Sequence, residues 1–312
     1  MEKHSEIYVA GHNGMVGRAI VRELLNHGYT SIITKSLQEL DLTRQTDVED
    51  FFKNEKPEYV FVAAAVVGGI LANNTQQARF LLENMQIQNN LIGCAYKYKV
   101  KKLLFLGSSC IYPAKATQPI DEKLILSGPL ELTNEGYAIA KIAGIKLCEY
   151  LHLQQNANFI SLMPCNLFGY YDNFDLQTSH FLPALIRKFY DAKTNNDPTV
   201  IVWGTGKPKR ELLFVDDLAK ACLYAMDNYN EAQFLNVGYG CDYTIAEYAQ
   251  KIKNVSGYKG KIIFDTTKPD GMERKLMDSQ NIRKLGWEPK VELDDAIKLT
   301  YEWYANNHGN KE

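Results

Sequence analysis

Short apolar runs alternate with longer amphipathic stretches over the first half of the chain. The runs are bounded by glycine, proline or polar residues, as buried strands usually are, and they predict strands at 7–10, 31–34, 59–63, 101–106 and 159–163. Helical spacing of the apolar positions between them predicts helices at 18–27, 45–54, 75–98 and 137–155. Strands that alternate with helices in this way predict a doubly wound parallel sheet of the α/β (Rossmann) class.

The pattern becomes less regular from residue 170 onwards. It predicts a helix from His180 to residue 190, helices after residue 217 and at 244–255, and strands at 199–203, 234–237 and 261–264, of which 234–237 is the last strand of the parallel sheet. No internal repeat or flexible linker separates the two parts. We expect a dinucleotide-binding domain formed by residues 1–169 and about 212–240, with a smaller α/β substrate-binding cap formed by residues 170–211 and about 241–312.

Composition narrows the class of protein. The chain has 312 residues, of which 46% are hydrophobic and 23% charged, and its formal charge of −2 argues against a broad nucleic-acid surface. Its six cysteines include no C-x-x-C pair, which favours a reducing compartment over a disulfide framework or a zinc site. The polar start of the chain is unlike a signal peptide, and the longest apolar stretch, at 59–72, is broken by glycines. We expect a cytoplasmic protein with no metal, membrane or nucleic-acid partner.

The first predicted strand leads into three glycines spaced G-x-x-G-x-x-G, at Gly11, Gly14 and Gly17. Glycines at this spacing let the backbone turn tightly and approach a pyrophosphate, and the following helix directs N–H groups and positive potential towards it. The strand–turn–helix context therefore predicts a dinucleotide site, although three glycines alone could form an ordinary loop.

The end of the second strand bears on which dinucleotide binds. NAD sites usually carry an acidic residue here for the ribose 2′-hydroxyl, whereas in this chain Lys35 follows the strand and Glu39 and Asp41 come later. Lys35 could neutralise the 2′-phosphate of NADP, and Asp41 with Leu42 could border the adenine. We therefore favour NADP; an ordinary surface lysine is the alternative for Lys35.

Tyr137 and Lys141 stand four residues apart on a predicted helix, so they lie on the same face. Small residues around them, Ala138, Ala140 and Gly144, leave room for close approach. A cation one turn away should lower the pKa of the phenol from its ordinary value of about 10. The pair could then protonate an oxygen while hydride reaches the attached carbon. The alternative is a core tyrosine beside a solvated lysine.

Two further clusters follow strand ends, where parallel sheets bind ligands. Small residues follow the third strand, beginning with Ala63 and Ala64, and Gly107-Ser108-Ser109-Cys110 follows the fourth. Hydroxyls and a thiol at this edge could contact a substrate. The alternatives are a serine-rich turn and a cysteine that is simply part of the core.

Motifs along the whole chain share a family likeness. They are Ala10-Gly11-His12-Asn13-Gly14-Met15-Val16-Gly17, Val67-Gly68-Gly69-Ile70, Gly107-Ser108-Ser109-Cys110-Ile111-Tyr112-Pro113, Asn134-Glu135-Gly136-Tyr137-Ala138-Ile139-Ala140-Lys141, Val202-Trp203-Gly204, Arg210-Glu211, and Lys268-Pro269-Asp270-Gly271 with Arg274-Lys275. On these residues the chain resembles the extended short-chain dehydrogenase/reductase superfamily and, within it, the GDP-L-fucose synthase family. The resemblance implies a homodimer joined by the helix that bears Tyr137 and its neighbour.

The resemblance also implies a role for each matching residue. Tyr137 would donate the proton with Lys141 as its partner, Ser108 would bind the substrate carbonyl oxygen, and Cys110 and His180 would be the acid and base of epimerisation. NADP would be bound by Gly11, Gly14, Met15, Val16, Gly17, Lys35, Asp41, Leu42, Ala63, Ala64, Lys141, Pro164, Asn166, Leu167 and His180. The GDP-sugar would be bound by Lys188, Trp203, Arg210, Lys275, Asn166 and Ser109.

The implied reaction converts GDP-4-keto-6-deoxy-D-mannose to GDP-L-fucose, by epimerisation at C3 and C5 followed by NADPH-dependent reduction of the C4 ketone. The keto group acidifies the hydrogens on both neighbouring carbons, and donors such as Ser108 and Tyr137 would stabilise the resulting enolate. Cys110 and His180, with ordinary pKa values of about 8.5 and 6.5, suit proton transfers on opposite faces of the sugar. Which of them is the base stays open.

A few positions depart from the family pattern. Bacterial members often have an arginine where Asn13 stands and another near Leu37. In the family an arginine is often found where Lys188 stands, and Pro-His is usual where Tyr170-Tyr171 stands, close to the expected sugar site. A related epimerase/reductase or C4 reductase acting on a GDP-heptose or a GDP-3,6-dideoxyhexose is therefore the alternative. A non-catalytic dinucleotide sensor is disfavoured, because such proteins commonly lose the catalytic tyrosine or lysine.

Overall fold

The computed structural model describes residues 1–308, and the first half of the chain alternates strands and helices as predicted. The strands are β1 (Ile7–Ala10), β2 (Ile32–Ile33), β3 (Tyr59–Val62), β4 (Lys102–Leu106) and β5 (Phe159–Pro164). The helices are α1 (Met15–Asn26), α2 (Gln45–Glu55), α3 (Ile70–Thr75), α4 (Gln77–Lys97) and α5 (Glu135–Gln155). The helix predicted over 75–98 is α4. The short helix α3 before it was not predicted, and Gln76, with φ −126° and ψ 32°, separates the two because it leaves the helical region.

The second half contains shorter strands. They are β6 (Asn166–Phe168), β7 (Thr199–Trp203), β8 (Lys209–Arg210), β9 (Leu212–Phe214), β10 (Leu235–Val237), β11 (Tyr243–Thr244), β12 (Lys261–Asp265) and β13 (Arg274–Lys275). The helices are α6 (Phe181–Thr194), α7 (Val215–Asn228), α8 (Ile245–Ser256), α9 (Gln280–Lys284) and α10 (Leu293–His308). The predicted elements did not include α9, α10 or the strands of two or three residues at β6, β8, β9, β11 and β13.

Six strands form one parallel sheet in the order β2-β1-β3-β4-β5-β10. The doubly wound α/β fold is thus confirmed, and the predicted last strand joins the sheet beside β5. Because the strands are parallel, their carboxyl ends meet at one edge. The strand order reverses around β1, with β2 on one side and β3 on the other, and such a reversal is where these sheets bind ligands.

A second hydrophobic core forms next to the small sheets β11-β8-β13, β12-β7 and β6-β9, and its members include Phe168, Phe189, Val202, Tyr248 and Ile297. The packing of some side chains crosses the predicted domain bounds. Phe168, Leu212 and Phe214 of the predicted dinucleotide-binding domain belong to the second core. Three side chains of the predicted cap pack in the core of the large sheet instead: Met277, Ile282 and Trp287. Residues 309–312, the end of the predicted cap, lie outside the described residues.

Candidate active site

The glycine turn joins β1 to α1 at the carboxyl edge of the sheet. Gly11 has a φ of +84°, and a Cβ there would lie 2.6 Å from the backbone nitrogen of Ala64. A Cβ on Gly17 would lie 2.1 Å from the carbonyl oxygen of Gly11. Met15 and Val16, also predicted to bind cofactor, form the first turn of α1. Close backbone packing therefore accounts for two of the three glycines.

Gly14 has no such packing requirement. Its φ of −77° suits any residue, and a Cβ there would make only an ordinary contact, 3.5 Å from the Gly11 carbonyl oxygen. Gly14 precedes α1, whose first turn has no side-chain cap and no acidic residue. A side chain at this position would fill the space in front of the free N–H groups. The turn is therefore shaped to receive a phosphate group of a dinucleotide.

The lysine after β2 is engaged with the protein. Lys35 Nζ lies 3.0 Å from a carboxylate oxygen of Glu55 at the end of α2. Glu39 accepts the backbone N–H of Ser36 at 2.7 Å. The role of Lys35 towards a 2′-phosphate stays a prediction, and it would require the ammonium to leave Glu55. The other predicted cofactor residues of this region follow the ends of β2 and β3, and they are Asp41, Leu42, Ala63 and Ala64.

Tyr137 and Lys141 lie on the buried side of α5 and are 8% and 3% exposed. Lys141 Nζ donates to the carbonyl oxygen of Leu106 at 2.8 Å and lies 5.7 Å from the centre of the Tyr137 ring. Burial raises the pKa of Tyr137 well above its ordinary value and lowers the pKa of Lys141 to about 8. The expectation that the lysine lowers the pKa of this phenol is therefore wrong in this structure, because desolvation dominates.

The turn after β4 carries the predicted serine and cysteine. Ser108 Oγ accepts the backbone N–H of Cys110 at 3.4 Å, and Ser109 is buried. Burial raises the pKa of the Cys110 thiol, whereas the charges of Lys275 and Lys141 lower it. Cys110 is only half-buried, unlike the four cysteines buried elsewhere, which are Cys94, Cys148, Cys165 and Cys222. It therefore does not fit the alternative of an ordinary core cysteine.

His180 approaches from the second half of the chain. It immediately precedes α6, but its imidazole makes no capping hydrogen bond, so a helix cap does not explain it. The loop before it is fixed where Gly69 donates its N–H to the carbonyl oxygen of Thr178 at 3.0 Å. Desolvation by the surrounding protein lowers the pKa of His180, and the charge of Lys275 lowers it further. The imidazole is therefore neutral near pH 7 and can accept a proton.

Lys275 links the reactive groups to the second half of the chain. It lies opposite Arg210 in the ladder between β13 and β8. Burial lowers the pKa of Lys275, the neighbouring Cys110 raises it, and Arg210 lowers it. Arg210 donates to the carbonyl oxygens of Lys209 and Met272 at 2.7 and 2.6 Å. The structure thus brings Lys275 next to both the cysteine and the arginine.

The second half of the chain also carries an exposed tryptophan. Trp203 ends β7, is 62% exposed, and has Lys188 Nζ and Lys268 Nζ at 5.2 and 5.6 Å from a ring centre. Lys188 also donates to the carbonyl oxygen of Ile201 at 3.0 Å. Lys268 is not among the predicted site residues, although its Lys-Pro-Asp-Gly motif could have indicated it. Two cations therefore flank an exposed aromatic ring in the second half of the chain.

The residues predicted around the nicotinamide lie at the carboxyl end of β5. Pro164 is the last residue of β5, and Asn166 with Leu167 belongs to β6. β6 pairs with β9, so that Asn166 lies opposite Leu212, two residues after Arg210. This unpredicted pairing brings the end of the large sheet close to the arginine.

Tyr170 and Tyr171 have their contacts outside this cluster. The guanidinium of Arg18 lies 4.5 Å from the centre of the Tyr171 ring, and the Trp303 ring lies 4.8 Å away on α10. Arg22 lies 5.4 Å from the Tyr170 ring centre. These contacts pack the loop that leads to His180 against α1 and α10, and the expectation that the tyrosines lie close to the sugar site stays a prediction.

Comparison with known proteins shows the family to which the chain belongs. The model of the NAD dependent epimerase/dehydratase family matches residues 7–238. The chain belongs to this family. Within the epimerase/dehydratase family it is 57% identical to the putative GDP-L-fucose synthase 2 of Arabidopsis thaliana, over 98% of this chain and 94% of that protein. It is 47% identical to the GDP-L-fucose synthase of Escherichia coli K12, over 96% and 97% of the two chains.

Solved structures in this epimerase/dehydratase family share the fold. A GDP-mannoheptose C4 reductase from Campylobacter jejuni with NADP bound has a TM-score of 0.90 and 40% identity, over 97% of this chain and 99% of that one. The resemblance to GDP-L-fucose synthases inferred from the motifs is thus confirmed. Over residues 1–308, no helix has the length and apolar character needed to cross a bilayer, and no three potential ligands among His, Cys, Asp and Glu are grouped for a metal.

Proposed function

We propose that the chain is an NADP-dependent GDP-sugar 3,5-epimerase/4-reductase that converts GDP-4-keto-6-deoxy-D-mannose to GDP-L-fucose. The observation that carries this proposal is the presence of two proton-transfer pairs in one site. Tyr137 and Lys141 suit reduction, whereas Cys110 and His180 suit epimerisation. The two pairs adjoin, because Cys110 and Lys141 act on each other's pKa. Lys275 adds a charge that acts on both Cys110 and His180.

Epimerisation requires a base on one face of the sugar and an acid on the other. Removing the hydrogen at C3 or C5 gives an enolate whose charge collects on the C4 oxygen, where Ser108 Oγ and Tyr137 Oη would donate hydrogen bonds. Cys110 Sγ and His180 are the groups proposed to take and return the proton. Burial raises the pKa of Cys110, and the charges of Lys275 and Lys141 partly offset this. Burial and Lys275 both lower the pKa of His180, which favours the neutral imidazole as an acceptor.

Reduction requires a proton for the C4 oxygen. Tyr137 Oη would supply this proton, and Lys141, as the adjacent ammonium, would stabilise the tyrosinate that remains. When bound, NADPH supplies the hydride. The chain would hold its pyrophosphate at the turn around Gly14, where the N-terminal amides of α1 are free.

Four cationic side chains and an exposed tryptophan are suited to bind the nucleotide part of the substrate. Arg210 and Lys275 would hold the diphosphate, the arginine through paired hydrogen bonds. Trp203 offers an exposed face on which a purine can stack, next to Lys188 and Lys268. The positions of these side chains in the sequence support the proposal that residues 170–211 and most of 241–308 form the substrate-binding region.

A reductase for another GDP-4-keto sugar is the second candidate. The observation that favours it is the 40% identity to the GDP-mannoheptose C4 reductase. A reductase without epimerase activity would not need the paired Cys110 and His180, so the first candidate is preferred. Tyr170 and Tyr171 keep this alternative open, and their contacts with α1 and α10 do not decide between the two candidates.

One experiment separates these functions. NADPH oxidation is followed in D₂O with GDP-4-keto-6-deoxy-D-mannose or with GDP-4-keto-heptose, and the product is examined by NMR. We expect GDP-L-fucose with deuterium at C3 and C5. NADPH oxidation without deuterium would indicate a C4 reductase alone, and oxidation with neither sugar would refute the enzyme assignment.

We also propose a homodimer in a reducing, cytoplasmic compartment. Ile139, Tyr150 and Leu153 are exposed apolar residues along one stripe of α5, and Leu82 is exposed on the adjoining α4. This pattern supports pairing of the two helices with those of a second chain. All six cysteines are free thiols, which supports the compartment.

A further inference from the structure

Glu211 is a buried carboxylate next to Arg210, and it is 1% exposed. One of its oxygens, Oε1, accepts the N–H of Gly240 at 2.7 Å, and the other, Oε2, accepts the N–H of Met277 at 2.9 Å. Burial raises the pKa of Glu211 to about 7, whereas the two N–H groups lower it. Among residues 1–308 it forms no ion pair, so these backbone donors are its main support.

The two hydrogen bonds join segments that are distant in the sequence. Gly240 lies in the turn after β10, the last strand of the large sheet, and Met277 lies two residues after Lys275. The backbone N–H of Glu211 also donates to the carbonyl oxygen of Lys275 at 3.2 Å. Glu211 therefore fastens the segment of Lys275 to both β8 and the large sheet.

The surroundings leave little freedom for this side chain. A Cβ on Gly238 would lie 2.3 Å from Glu211 Oε1. An isolated buried carboxylate is expensive to retain, and an apolar residue would fill the space without that penalty. Glu211 has two acceptor oxygens, and each accepts a different backbone N–H. An apolar residue could not supply these acceptors.

We propose that Glu211 is a positioning residue that sets the spacing between Lys275 and Arg210 for the diphosphate of the substrate. This role rests on the proposed function. Glutamine at this position would keep one acceptor but would turn an N–H₂ group towards the second backbone donor. The segment that carries Lys275 would then move away from β8.

Glu211→Gln tests the role, with Glu122→Gln as the matched control. Glu122 is also buried, and its two oxygens each accept one N–H, from Asn236 and from Asn281, both at 3.0 Å. GDP and NADPH binding are measured separately by calorimetry. We expect Glu211→Gln to weaken GDP binding about tenfold and to leave NADPH binding unchanged. Glu122→Gln should change neither.

A double-mutant cycle with Lys275→Met tests whether Glu211 acts through the lysine. The effect of Glu211→Gln on GDP affinity should shrink in the Lys275→Met background, whereas full additivity would overturn the role. If Glu211→Gln does not fold, Glu211→Asp carries the same cycle with a shortened carboxylate. Unchanged GDP affinity in the Glu211 variant would overturn the positioning role alone. Absence of GDP binding by the unaltered chain would overturn the proposed function as well.

Discussion

The Lys141 ammonium donates to the carbonyl oxygen of Leu106 at 2.8 Å, and this bond fastens α5 to the end of β4. The lysine is buried there, and its pKa falls to about 8. A group with this pKa changes its charge in a range where the enzyme can be assayed. The position of the lysine thus makes the reduction step sensitive to pH.

Reduction should slow as the pH rises through about 8. Below that value Lys141 is an ammonium and can stabilise the tyrosinate left by Tyr137, and above it the neutral amine cannot. The measurement is kcat/KM for NADPH oxidation between about pH 6.5 and pH 9.5. Lys141→Arg stays charged across this range and should lack the decline, even with a lower maximum. A decline that persists in the arginine variant would assign it to another group.

Tyr137→Phe should lower the reduction rate by about 10²–10⁴-fold, because it removes the general acid. NADPH affinity should stay nearly unchanged, since the ring and its packing remain. Single-turnover oxidation of NADPH and fluorescence titration of the cofactor measure the two quantities. Tyr150→Phe removes a hydroxyl from an exposed tyrosine of the same helix and serves as the control. Equal reduction by both variants would remove Tyr137 from the chemistry.

Cys110→Ser should slow the exchange of substrate hydrogen with solvent deuterium. A serine hydroxyl is a far weaker base than a thiolate, while Ser108 and Tyr137 remain in place for the reduction. Mass spectrometry of the keto sugar in D₂O without NADPH isolates this step. Cys241→Ser, at an exposed cysteine, is the control. Deuterium uptake at the normal rate in Cys110→Ser would show that another group is the base.

Tyr171→Ala should weaken NADPH binding. The Tyr171 ring lies against Arg18, which also donates from Nε to the carbonyl oxygen of Asn13 in the glycine turn at 2.9 Å. Loss of a cation–π contact of about 1 kcal/mol corresponds to a rise of about fivefold in the dissociation constant. Tyr171→Phe keeps the ring and should bind normally. Normal binding by the alanine variant would separate this contact from the cofactor site.

Ile139→Asp should convert the proposed dimer to a monomer, because it places a charge on the exposed apolar stripe of α5. Light scattering coupled to gel filtration reports the mass. Leu25→Asp adds the same charge to an exposed position of α1 and should leave the mass unchanged. A monomeric unaltered chain, or a dimeric Ile139→Asp variant, would contradict the proposed surface.

Continuous apolar runs and regular apolar spacing predicted most of the longer elements. The strand at 199–203 was predicted with its observed ends, because buried and exposed residues alternate along β7. The helix α10 has buried positions at helical spacing but was not predicted. Its buried face contains Leu293 and Ile297 but also Ala296, Thr300 and two tyrosines, and this mixture makes the apolar face less distinct in the sequence.

The sequence indicates which residues could form the candidate site, but it does not indicate their pKa values or ion pairs. The positions of Gly11, Tyr137 and Cys110 after strands or on a helix follow from local patterns. The pKa of Tyr137 does not, since it depends on how completely the folded chain buries this face of α5. The contact of Lys35 with Glu55 likewise joins residues on separate elements, and no spacing in the sequence indicates it.

The return of Met277, Ile282 and Trp287 to the core of the large sheet has a consequence for dissecting the protein. A fragment that stops near residue 240 would contain every strand of that sheet. It would nevertheless expose the apolar surface that these three side chains cover in the whole chain. The nucleotide-binding half therefore cannot be excised by a single cut. The core of the large sheet is complete only when residues up to Trp287 are included.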